Sequence, residues 1–112
     1  MSKQSIFDCW YAEYYDKIET WKDDVELFRE LLKGRSRRIF ELGCGTGRVL
    51  LPLARDGHEM HGIDKNRHML SRLLTKAGAT DNITIKLGDA IQTDWGMGYD
   101  TVIMGGNILI HR

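Results

Sequence analysis

The chain has 112 residues, enough for one domain with one core and no more. Its composition, 42% hydrophobic and 29% charged with a single proline, excludes global disorder. Sixteen basic residues balance sixteen acidic ones, which argues against an overall attraction to nucleic acid or to anionic lipid.

In chain order, the N-terminal stretch "MSKQSIFDCWYAEYYDK" is aromatic (Phe7, Trp10, Tyr11, Tyr14, Tyr15) and lacks the apolar core of a signal peptide. No run in the chain is long and apolar enough to span a bilayer, so a reducing cytoplasm is the expected setting. "DDVELFRELLKG" predicts a helix, capped by Asp23 or Asp24, with Val25, Phe28, Leu31 and Leu32 on one face and Gly34 as its stop. The cluster Arg35, Arg37, Arg38 reads as a solvated linker, with a phosphate-binding patch as the sharper alternative. "RRIFELG" (37–43) predicts a first strand and "GRVLLPLARDG" a helix that Pro52 would bend past its first turn. "HEMHGID" (58–64) predicts a second strand. "NRHMLSRLLTKAG" predicts a helix capped by Asn66, with Met69, Leu70, Leu73, Leu74 and Ala77 as its core stripe. "ITIKLGD" (83–89) alternates as a third strand, and "AIQTDWGMG" is a loop. "YDTVIMGGN" (99–107) is a fourth strand, apolar enough to be buried on both faces of a parallel sheet. Strands alternating with helices predict an α/β fold built on an open parallel sheet.

Gly43, Gly45 and Gly47 fall within five positions between the first strand and its helix, where each costs backbone entropy. Such a strand–turn–helix unit lets a polar ligand approach the backbone at the carboxyl ends of strands. Two ligand classes compete. The dinucleotide pattern G-x-G-x-x-G fails, because Arg48 stands at its third glycine. The pattern present is G-x-G-x-G with Glu41 two residues upstream.

"ELGCGTG" (41–47) resembles motif I of the class I S-adenosylmethionine-dependent methyltransferases. "DKNRHML" (64–70), "GDA" (88–90) and "YDTVIMGGN" are similar to the family's next three landmarks, in the right order over residues 37 to 107. The resemblance implies a Rossmann-like sheet of order 3-2-1-4 and S-adenosyl-L-methionine as cofactor. It implies that Asp64 accepts from the ribose hydroxyls, that Lys65 and its neighbours pack on adenine, and that Asp89 takes the adenine amino group. Gly43 and Gly45 would admit the amino-acid tail, and Glu41 would reach its amino group. Cys44, Thr46, Gly47, Met69, Ala90 and Gly106 belong to the same stretches, and Tyr15 to an N-terminal lid. The cofactor has no pyrophosphate, so a helix-packing glycine is expected to be dispensable. Plainer readings stand beside these: Asp64 as a strand-end acid or helix cap, Asp89 as a turn residue, Glu41 as a structural acid, the tyrosines as packing. Cys44 reads as a small filler, and the four histidines match no metal spacing.

Two segments are expected, a lid and helix over 1–34 and an incomplete cofactor domain over 35–112. Family members carry seven strands, whereas this chain ends five residues after Asn107. Asn107, at the expected end of strand four, is the candidate for the reacting end. A fourth strand without a fifth would be an open apolar edge, which predicts a homo-oligomer paired through it. The function expected is methyl transfer to a small-molecule acceptor, by this chain or by a longer enzyme containing it. The alternatives are a non-catalytic binding or assembly module and, more remotely, a nucleotide-dependent oxidoreductase.

Overall fold

The computed structural model describes residues 23–90, 92–94, 96–104 and 107–111. They form helix α1 (Asp23–Leu32), strand β1 (Arg38–Leu42), helix α2 (Leu50–Arg55), strand β2 (Glu59–Asp64) and helix α3 (Arg67–Ala77). Strands β3 (Ile83–Leu87), β4 (Thr101–Met104) and β5 (Asn107–His111) complete them. The sheet order is β3-β2-β1-β4-β5. The first four strands run parallel, in the expected 3-2-1-4 arrangement, and β5 is antiparallel to β4. Parallel strands place all four carboxyl ends on one rim, and that rim carries the site.

Register sets the two faces of the sheet. Ile39 pairs with Met60 and Met60 with Ile83, so these three share a face. All three described helices bury their stripes in the core that includes this face: Val25, Phe28 and Leu32 from α1, Leu50, Leu51, Leu53 and Ala54 from α2, Leu70 and Leu73 from α3. Fully buried aliphatic side chains of this kind contribute about 1.5–3 kcal/mol each relative to exposure. Leu31 and Leu74 were expected on the buried stripes, yet they are 47% and 55% exposed. Both lie at the margin of a stripe whose centre is set by the i, i+3 and i+4 spacing of their neighbours. On the opposite face Phe40 meets Tyr99 edge-on at 5.0 Å, and the Arg38 guanidinium lies 4.5 Å from the same ring.

Two elements depart from expectation. Residues 47–49 turn before α2 begins, so Pro52 is the third residue of a six-residue helix. There it sits within the first turn, where N–H groups have no partner inside the helix proper. The second departure is the edge. The expected strand over 99–107 stops at Met104, and β5 pairs with β4, with a register shift between Val102 and Ile103. β4 is therefore an interior strand, and the edge expected to be open on it is occupied by β5. Asn107 starts β5 opposite Met104 instead of ending β4.

The basic cluster before β1 is a set of paired groups. Arg35 lies 3.8 Å from Asp100, Arg37 donates to the Leu32 carbonyl, and Arg38 donates to Glu59 and to the Met97 carbonyl. These contacts favour the structural reading of the cluster over a phosphate patch.

Candidate functional site

The glycine loop after β1 explains its own composition. Gly43, Gly45 and Gly47 have φ of +73°, +55° and +88°, a region that side chains with a Cβ rarely adopt. The loop is stapled to the end of β2. Gly43 N–H and Cys44 N–H both donate to the Ile63 carbonyl, at 2.8 and 3.1 Å. Gly45 N–H donates to Asp64 Oδ2 at 2.9 Å.

The glycines nevertheless do different work. A Cβ on Gly43 would meet nothing within 4 Å, so its face is open. A Cβ on Gly47 would stand 2.9 Å from Cγ of both Leu51 and Leu73. Gly47 is thus a packing glycine between α2 and α3, one position earlier than the dinucleotide pattern would place one. The expectation that such a glycine is dispensable is corrected here: the close approach of helices demands it whichever ligand binds. Gly62 plays a similar part in β2, where a Cβ would lie 2.8 Å from Cys44 Sγ and 2.9 Å from Leu50 Cδ1.

Asp64, the last residue of β2, ties three segments together. Its carboxylate accepts from Gly45 N–H and, through Oδ1, from Asn66 N–H at 2.8 Å. Its carbonyl accepts from Gly88 N–H beyond β3 at 3.0 Å. Asn66 caps α3, its Oδ1 accepting from His68 N–H and Met69 N–H at 2.9 and 3.2 Å. Both the strand-end and the binding readings of Asp64 therefore remain compatible with one geometry, because each carboxylate oxygen keeps further acceptor capacity.

A cavity of about 310 Å³ opens at this rim, lined by Leu42, Gly43, Ile63, Asp64, Lys65, Gly88, Asp89, Ala90 and Met104. Its walls are largely aliphatic, with two carboxylates and one ammonium placed among them. The cavity gathers five of the residues singled out from the sequence: Gly43, Asp64, Lys65, Asp89 and Ala90. Others stand behind it. Glu41 is buried in β1, opposite Gly62 and Ile103. Thr46 is fully buried, and Met69 Sδ lies 3.4 Å from the Cβ position of Gly45. Cys44 is buried against Gly62, and burial, with the charges of Glu41 and Asp64 adding to it, pushes its thiol far above the ordinary range. That is the state of a filler and not of a nucleophile. Tyr15, Gly106 and the side chain of Asn107 lie outside the described residues.

Sequence reading missed Leu42, Ile63, Gly88 and Met104 as cavity wall. The signal was present in the topology: in a parallel sheet the residues at and just around the carboxyl end of each strand share one rim. Two larger hollows carry less. One of about 360 Å³ lies on the Phe40 face with Arg38, His61, Lys86 and Tyr99. Three of its polar side chains are already engaged: Arg38 and His61 both reach Glu59, at 2.8 and 2.6 Å, and Lys86 donates to the Asp94 carbonyl. The other, about 570 Å³, is a groove of mixed charge between α1 and the end of α2. Among the described residues no group of three or more His, Cys, Asp or Glu converges to hold a metal ion, and no helix is long and apolar enough to cross a membrane.

The sequence pattern of the methyltransferase domain family matches residues 39–112, from the middle of β1 onward, including the glycine loop and the whole cavity rim. The chain belongs to this family. Its sheet is the Rossmann-like sheet of the class I, S-adenosylmethionine-dependent methyltransferases. A methyltransferase of Geobacillus sp. (strain WCH70) is 30% identical over 83 residues, covering 68% of this chain and 33% of the relative. The CcbJ methyltransferase of Streptomyces caelestis superposes with a TM-score of 0.67 at 29% identity, over 84% of this chain and 41% of that one. An RNA methyltransferase of Salinibacter ruber, solved with S-adenosyl-L-homocysteine, has the same fold, with a TM-score of 0.66 at 24% identity over 76% of this chain and 58% of its own. The chain thus spans well under half of the Geobacillus and Streptomyces proteins.

Proposed function

We propose that the rim cavity of this methyltransferase chain binds S-adenosyl-L-methionine and that the protein transfers its methyl group to a small-molecule acceptor in the cytoplasm. One observation carries the reading. The Asp64 carboxylate and the open face of Gly43 border the same cavity, so a hydroxyl acceptor stands beside bare main chain. The residues present suit the cofactor. Asp64 would accept from the vicinal ribose hydroxyls, which are donors matched to one carboxylate. Asp89 would accept from the adenine amino group, and the aliphatic stem of Lys65 with Ile63, Ala90 and Met104 would cover the base. The tail would lie along Gly43 and Gly45, toward Glu41. When bound, the cofactor supplies a methyl group already activated on a sulfonium, so proximity and alignment are the main tasks left to the protein.

The balance of acidic and basic residues supports a small acceptor over RNA, whose phosphates demand basic surface. Because the chain covers 33% of the Geobacillus relative, binding is proposed for these residues and transfer for the whole protein.

Calorimetry with S-adenosylhomocysteine tests the reading. The chain should bind, and Asp64→Ala should weaken binding by about tenfold or more, since a charge-assisted hydrogen bond is worth roughly 1.5–3 kcal/mol. Absence of binding by the wild-type chain at millimolar ligand would favour an assembly module. Methylation of RNA in preference to small molecules by the whole protein would overturn the acceptor class.

A further inference from the structure

The geometry points to Asn66 as a positioning residue that aims the Asp64 carboxylate, an inference that rests on reading the rim cavity as the nucleoside site. Asp64 Oδ2 is held by the glycine loop through Gly45 N–H, at 2.9 Å. Its Oδ1 is held by Asn66 N–H, at 2.8 Å. The first anchor is a loop. The second is tied to a helix. Asn66 has an extended backbone, φ −93° and ψ 104°, and its side-chain oxygen accepts from two amides of the first turn of α3. Its carbonyl accepts from Leu70 N–H, at 3.2 Å. The helix in turn is fixed by Met69, Leu70 and Leu73, which are buried.

A chain of contacts therefore runs from the core through Leu70 and Leu73, into the cap made by Asn66, and on through its own N–H to Oδ1 of Asp64. Two amides on two carboxylate oxygens fix the plane of the group, and the acceptor positions left over are then fixed as well. Without the side chain of residue 66 the 64–66 turn loses its tie to the helix, and the N–H that holds Oδ1 is free to swing. A neutral carboxamide suits this place. Aspartate would cap as well, but it would set a second negative charge two residues from the first.

The test compares Asn66→Ala with Asn66→Ser, which restores the cap. Two readings are taken on the same 112-residue chain: amide exchange at residues 45 and 66 by NMR without ligand, and the dissociation constant for S-adenosylhomocysteine. Asn66→Ala should speed exchange at both amides and weaken binding about fivefold, and Asn66→Ser should return both toward wild type. If Asn66→Ala melts earlier but keeps the wild-type affinity and the wild-type exchange at residue 66, the side chain is only a helix cap and the inference is wrong. If the alanine variant does not fold, Asn66→Gly, which costs a cap much less, carries the same two readings. Failure of the wild-type chain to bind S-adenosylhomocysteine overturns the nucleoside reading instead. The exchange measurement then still decides whether Asn66 holds Asp64.

Discussion

Gly43 and Gly47 are chemically identical and share a positive φ, yet they should respond differently to the same methyl group. A non-glycine residue in this region costs about 1–2 kcal/mol, and overpacking a tight contact adds about 1–3 kcal/mol. Gly47→Ala pays both terms, since its Cβ would press on Leu51 and Leu73, and should destabilise the chain by about 3 kcal/mol. Gly43→Ala pays only the first, about 1 kcal/mol, and should instead weaken binding of S-adenosylhomocysteine. Urea unfolding midpoints read the first difference and calorimetry the second; equal destabilisation by the two variants would contradict the packing role of Gly47. At this scale the spacing of the three glycines was legible and so was the acid at the end of β2. The division of labour among the glycines was not, because a sequence shows where the backbone must bend but not what stands beside the bend. The hydrogen bonds that make Asp64 a junction were hidden for the same reason: they involve backbone groups, which every residue carries.

The elements are joined by contacts at their ends. Arg29 of α1 reaches Asp56, at the end of α2, with two hydrogen bonds of 2.9 and 2.7 Å. The pairing holds the Asp56 carboxyl below the usual carboxylate range. His58 stands just before β2, 2% exposed, with Nδ1 accepting from Arg37 N–H at 3.1 Å. That bond requires an unprotonated Nδ1, and burial lowers the imidazole pKa from 6.5, outweighing the opposing charge of Asp56, with the charge of Arg37 adding to the fall. The sign follows from linkage. Below about pH 6.5 the unfolded chain takes up a proton that the folded chain refuses, so stability falls as pH drops through this range. The thermal midpoint should therefore decline between pH 7.5 and 5.5, and His58→Gln should flatten the decline while lowering the midpoint at pH 7.5. An unchanged slope in that variant would remove His58 as its cause. Helix and strand positions were legible from periodicity, but ends were not. α2 starts three residues later than its apolar pattern suggests, because the glycine loop consumes residues 47–49.

At the scale of the molecule, the parallel sheet could be anticipated from the alternation of strand and helix, and the order of its four strands from the family resemblance alone. The fifth strand was not legible in the same way: an apolar pattern over 99–107 reads as one strand with an open edge, although a Gly-Gly pair between two apolar runs is itself a hairpin signal. With β5 in place the sheet has β3 and β5 at its outer edges and β1 near its middle. The loop that follows β1 is thus held from several sides, and Cys44 is sealed within it, 4% exposed. This thiol can serve as a native clock. Attack on an aromatic disulfide reagent requires it to emerge and ionise, so in a Cys9→Ser background its labelling rate counts how often the fold breathes open. Labelling should run orders of magnitude slower than for a free thiol, accelerate with urea in step with global unfolding, and slow further as any ligand of the native state is added. Labelling as fast as that of a free thiol would mean that the loop opens on its own, independently of the sheet beneath it.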